Sequence, residues 1–207
     1  MKARKILVSL AALALVAAIS IGGTLAYLTS KADVKNTFTV GNVTITMDET
    51  DVDDSTEDAA RDTENSYHLL PGKEYTKDPI IHVDANSESC YLFVTVDNLI
   101  SGIEATNNNV AAQMAENGWV NAGVEGKANL YVYVGTAEGA SASKPAVVAA
   151  GADVDVFETI TIDGNVSNTT LASYAGKTIT VNAYAIQAEG FSNKTAAEIW
   201  TAAGFTA

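Results

Sequence analysis

Cysteine is nearly missing from this chain. The one residue, Cys90, has no partner within it, so no intrachain disulfide staples the fold and stability must come from the core. Histidine is almost as scarce. His68 and His82 stand 14 residues apart and neither sits in H-E-x-x-H, the helical pair that holds zinc in many proteases. No G-x-S-x-G elbow or P-loop occurs. The abundant Ser and Thr hydroxyls have no base nominated beside them, and a nucleophile needs one. Basic residues are few, 12 Lys and Arg against 25 Asp and Glu, with no basic patch interleaved with aromatics. Phosphate backbones would repel such a chain, which argues against nucleic acid as a partner. Strict repeats and alternation of strands with long helices are also lacking, which argues against a parallel α/β fold.

What is present begins with an export signal. Lys2, Arg4 and Lys5 form a positive start, and Ile6 to Ile21 is a 16-residue apolar run broken by Ser9 and Ser20. A transmembrane helix needs about 20 apolar residues, so the short run favours a cleaved signal peptide over an uncleaved anchor. Gly22-Gly23 breaks the helix. Thr24 and Ala26 supply small residues at positions −3 and −1, which predicts cleavage between Ala26 and Tyr27. Residues 1–26 are then the signal, and 27–207 form one domain of 181 residues carrying 9 basic and 25 acidic side chains, a net charge of −16. Secretion without disulfides points to a bacterial exported protein. The sequence names no cofactor, metal set or catalytic residue.

From Thr37 onward, strand-like runs alternate with turn formers, as in a sandwich or barrel. Phe38 and Val40 set one apolar phase, and Val43, Ile45 and Met47 the other. A one-residue slip exchanges the faces of a strand, so Gly41-Asn42 is expected to hold a bulge or bend. Leu70-Pro71-Gly72-Lys73 fits a type II turn. Ile80–Val83, Cys90–Val96, Leu130–Val134 and Lys177–Ala188 read as strands, with Cys90 acting as a small buried hydrophobe. Val154, Val156, Ile160 and Ile162 read as one face of a single strand ending at Asp163-Gly164, and the Gly/Ala/Ser-rich stretch 135–152 as a low-complexity connection. Asn109 caps a short helix closed by Gly118, Leu171–Tyr174 makes a helical turn, and Thr195 with Glu198 has capping-box spacing before Ile199-Trp200. About seven strands and two or three short helices predict an all-β fold.

The stretch 48–64 is heavily acidic and reads as a mobile surface loop. Two readings stand for it, a solvated loop or a calcium ligand set, since hard cations take several oxygen ligands. Asp51, Asp53 and Asp54 lack the glycine and terminal Glu of an EF-hand loop. His82, inside Ile80–Val83, is expected to face solvent.

Gly22-Gly23-Thr24-Leu25-Ala26-Tyr27-Leu28-Thr29, followed by Asn36-Thr37-Phe38-Thr39-Val40-Gly41-Asn42-Val43, resembles the TasA/camelysin family of Gram-positive exported proteins. Leu70-Pro71-Gly72, Ala183 to Phe191 and Ala197-Glu198-Ile199-Trp200 resemble the family more loosely. The resemblance implies processing by a dedicated alternate signal peptidase of the endoplasmic-reticulum type. It also implies a jelly-roll-like antiparallel β-sandwich and secretion to the cell surface or extracellular biofilm matrix. Members assemble there into fibres, each subunit's N-terminal segment adding as a strand to the next. Camelysin is described as a casein-cleaving surface metalloprotease, which makes protease activity the rival reading, and a monomeric adhesin is a third. Fibre assembly makes the chain its own principal partner, with other matrix proteins or the cell wall beside it.

Strand donation is physically sound, because a freed strand can hydrogen-bond to an open sheet edge and head-to-tail contacts propagate instead of closing. Residues 27–36 are the expected donor, extended through Val40, with the even-numbered Leu28, Val34, Phe38 and Val40 on one side. The alternative is that 27–36 is a tail and Thr37–Met47 the first strand of the chain's own sandwich.

Overall fold

The computed structural model describes residues 29–33, 37–38, 43–53 and 60–205, giving backbone pairing for the first two segments. The fold is all-β and antiparallel, in two packed layers, as the strand pattern predicts. The larger sheet has six strands in the order β2 (Thr37–Phe38), β1 (Thr29–Asp33), β12 (Thr180–Gln187), β7 (Cys90–Asp97), β9 (Leu130–Tyr133) and β8 (Trp119–Asn121). The smaller has four, β10 (Asp153–Asp155), β6 (Ile80–Val83), β3 (Ile45–Thr50) and β4 (Arg61–Asp62). A two-stranded sheet, β11 (Thr159–Thr161) with β5 (Glu74–Thr76), adds Ile160 and Tyr75 to the core between them.

The run Cys90–Val96 shows why the layers stack. All seven residues are buried. Leu92, Val94 and Val96 face the smaller sheet, packing with Ile45, Met47, Ile81 and Val83. Tyr91 and Phe93 face the other way, against Leu130, Val132 and the helix α3 (Ala196–Ala202), which presents Ile199 and Trp200. A strand covered on both faces loses its polar alternation, and each large apolar side chain so buried contributes about 1.5–3 kcal/mol. β12 pairs with β7 along its whole length, Thr180 opposite Asp97 through Gln187 opposite Cys90. Its Val181, Ala183 and Ala185 join the inner core, and Ile186 the core under α3.

Local signals place the helices. The Asn109 side chain accepts from Ala112 N at 2.9 Å and opens α1 (Val110–Glu116); Gly118, at φ 85°, lets the chain leave it. The Thr195–Glu198 capping box forms and starts α3. The turn at Leu70–Lys73 closes with Lys73 N on Leu70 O and Gly72 at φ 73°. The helical turn expected at Leu171–Tyr174 begins earlier, as α2 (Asn168–Ala172).

Two expectations need correction. Val154 to Ile162 is two strands, not one: β10 pairs with β6, and β11 with β5. Val156 and Phe157 are both fully buried, and two successive inward side chains require a bend that sends the chain from one sheet to another. The acidic stretch is not all loop. Asp48 to Thr50 complete β3, and Arg61 and Asp62 of β4 pair opposite Thr50 and Glu49. The stretch 135–152 is a connection, as expected, anchored where Cys90 and Val148 exchange both backbone hydrogen bonds. The bend expected at Gly41-Asn42 lies outside the described residues.

Candidate functional site

The feature that bears on the proposed donor strand is the outer side of β12. Eight residues long, β12 is bounded by β7 on one side and by β1 on the other. β1 runs antiparallel to it, Thr29 opposite Ile186 and Asp33 opposite Asn182. β2 then pairs back on β1, Phe38 opposite Lys31, so residues 29–38 hold two strands instead of one extended strand. Among the described residues the sheet edges are β2, β8, β4, β10, β5 and β11, each two or three residues long. Short edges offer little to a foreign strand. β12 without β1 would be the long one. Of the residues singled out in the sequence, Ala26, Tyr27, Leu28, Val34 and Val40 lie outside the described residues, and Phe38 sits in β2.

Polar side chains gather on the smaller sheet. The His82 ring lies between two carboxylates, Nδ1 2.6 Å from Asp153 Oδ1 and Nε2 3.2 Å from Asp48 Oδ2. His82 lies on the outer, partly exposed face of β6, as its place in the strand predicts, and is paired there. Burial, the largest single influence, pulls the imidazolium down, but the bonds and charges of Asp153 and Asp48 outweigh it and hold the pKa above its ordinary value. Arg61 binds Asp48 through Nε and Asp78 Oδ2 through Nη1 at 3.0 Å. Asp78 also accepts from Thr50 N at 2.7 Å and from Thr50 Oγ1 at 2.8 Å, and these bonds with Arg61 overcome burial to lower its pKa. Lys77 Nζ pairs with Glu49 Oε2 at 2.7 Å in the interior.

Among the described residues, one group of three ligand-bearing side chains lies within mutual reach, Asp51, Asp53 and Asp62, with ligand atoms within 4.8 Å of one another. Asp54 lies outside the described residues. The donors are all oxygen, the chemistry of a hard cation, yet protein groups already use them. Asp53 Oδ2 accepts from Ser66 N at 2.6 Å and Asp62 Oδ1 from Asn65 Nδ2 at 3.1 Å. Neither histidine belongs to the group, and His68 is exposed, its carbonyl accepting from the Tyr75 hydroxyl. Cys90 is fully buried, and burial pushes its thiol up to about 12, leaving it unreactive at neutral pH.

No family model, curated protein or solved structure matches this chain.

Proposed function

We propose that the chain is a bacterial exported structural subunit that polymerises outside the cell, the N-terminal strand of one copy filling the β12 edge of the next. The reading follows from the signal-and-strand resemblance to the TasA/camelysin family, and its carrying observation is the pairing at that edge. β12 is completed by a strand from the extreme N-terminal side of the domain, about 150 positions away in sequence. Exchanging that strand between copies replaces each hydrogen bond with an identical one, so the swap itself costs little. The in-chain strand competes at an effective concentration on the order of mM, so crowded subunits, as in a biofilm matrix, favour exchange. Backbone pairing supplies the affinity.

In this reading residues 1–26 are removed by an alternate signal peptidase, the mature chain partners with itself, and His68 and His82 carry no catalysis. No observation at either histidine favours the protease alternative, since His82 is engaged by Asp48 and Asp153. The test compares protein beginning at Tyr27 with protein beginning at Asn36, concentrated and followed by light scattering and negative-stain microscopy. Filaments from the longer form alone are expected. Monomers from both would overturn the proposal.

A further inference from the structure

Two turns meet beside the start of β7, and each carries a lysine. The turn at 141–144 closes with Lys144 N on Ser141 O at 2.9 Å, and the turn that follows β12 closes with Lys194 N on Phe191 O at 3.0 Å. Ala196 N donates to Ala142 O at 2.8 Å, which holds the two turns side by side. Between them lies a pocket of about 230 Å3. Lys144 and Lys194 line it together with Ser143, Ser192, Asn193 and Tyr91 of β7. Sites for drug-sized ligands run to roughly 300–1,000 Å3, so this smaller pocket suits an ion or a single head group.

Charge and donor count select the occupant. No carboxylate lines the pocket, and neither lysine has one within ion-pair distance among the described residues. The carboxylate that feels Lys194 is Glu198, already held by Thr195 N and Oγ1 in the capping box. Two of the nine basic residues of the 27–207 domain therefore line one small site of a chain with 25 acidic ones. Ammonium groups so placed repel each other until an anion sits between them. The domain's net negative charge does not cancel this field, because exposed charges more than about 8 Å apart are screened at physiological ionic strength. Tyr91 adds an independent sign. It is 3 % exposed, and its hydroxyl makes no hydrogen bond to protein among the described residues. A buried phenol normally finds a partner, and the pocket is where this one still reaches water. Two ammonium groups, three hydroxyls and one amide supply more donors than the two oxygens of a carboxylate use well, and match the three or more oxygens of a tetrahedral oxyanion. We infer that the pocket binds a phosphate group, free or as a monoester, with Lys144 Nζ, Lys194 Nζ and the Tyr91 hydroxyl donating to its oxygens.

The test titrates inorganic phosphate and glycerol 3-phosphate against dilute protein beginning at Tyr27 and follows the broadening of the ligand's phosphorus resonance. Sodium chloride holds the ionic strength constant throughout. Saturable binding with a Kd on the order of 1 mM is expected, the scale of two charge-assisted contacts at an open site. K144Q and K194Q should each weaken it about tenfold, and K194R should retain it. Y91F, which leaves the charge unchanged, should weaken it about threefold. K177Q removes the same charge at the opposite end of β12 and should leave affinity as it is. Lys144 and Lys194 are exposed, so their variants are expected to fold, and unfolding midpoints check it. Tighter binding of glycerol 3-phosphate would support the site and assign it to a phosphorylated molecule; tighter binding of inorganic phosphate would assign it to the free ion. No saturable binding at about ten times the expected Kd, unchanged affinity in K144Q and K194Q, or an equal loss in K177Q would overturn the inference. Acetate binding as tightly as phosphate would overturn it too.

Discussion

Removing Lys77 should harm this protein more than removing Lys77 and Glu49 together. β3 points Ile45, Met47 and Glu49 inward in succession, and Glu49 is only 4 % exposed. Its carboxylate is held there by Lys77 Nζ at 2.7 Å, itself 9 % exposed. Stripping one partner from a buried pair strands the other charge and costs about 3–5 kcal/mol, whereas replacing both by apolar residues of similar volume is often neutral or better. K77M should therefore lose about 3–5 kcal/mol, and K77M/E49L should recover most of it. For a chain of this size each kcal/mol shifts Tm by roughly 2–4 °C, so the single variant should melt roughly 6–20 °C lower. Urea unfolding followed by the fluorescence of buried Trp119 and Trp200 gives the midpoints, and an unchanged slope confirms that stability alone moved. The reasoning fails if K77M loses less than about 1 kcal/mol, or if the double variant loses the sum of the single ones.

Other consequences are as direct. His82 has a folded pKa above the unfolded 6.5, so its contribution is fully present below pH 6.5 and is lost as pH rises through the folded value. The stability gap between wild type and H82Q should thus be larger at pH 5 than at pH 9, and a gap of equal size at both would refute the pairing with Asp48 and Asp153. Gly118 has φ 85°, and a Cβ there would lie 2.6 Å from the Gly135 carbonyl carbon. G118A should cost roughly 2–5 kcal/mol in chemical denaturation, and a loss under 1 kcal/mol would contradict the close approach. Cys90, with its thiol near 12, should resist a disulfide-exchange reagent at pH 8 until urea unfolds the chain; labelling at the native rate of an exposed thiol would show the strand is open.

Sequence made the locally encoded parts legible. Cys90–Val96 announces itself by seven apolar or β-branched residues, α3 by its Thr195–Glu198 box, and α1 by Asn109 and Gly118, because each signal lies within a turn or two of the structure it specifies. What was missed depends on partners far along the chain. His82 and Asp153 are 71 positions apart, and Lys77 and Glu49 are 28, so neither pairing has a spacing to read. The buried phase of Ile45 and Met47 continues into Glu49, which hydropathy assigns to an acidic loop. The change of sheet at Val156-Phe157 is visible only as two adjacent apolar residues, a pattern that also suits a continuous strand. Tyr67 and Leu69 likewise share a cavity with Leu171 and Ile179, about a hundred positions distant.

The proposal of strand donation is tested most directly at Asp33 and Asn182, which lie opposite each other where β1 meets β12. Opposed residues of an antiparallel pair sit at a separation a disulfide can span, and Cys90 is too buried to compete. D33C/N182C protein beginning at Tyr27 is assembled under reducing conditions, oxidised, and run on a denaturing gel without reductant. Donation from copy to copy predicts a ladder of covalent oligomers that collapses on reduction. A single internally crosslinked monomer band, from preparations concentrated enough to form filaments, would contradict it.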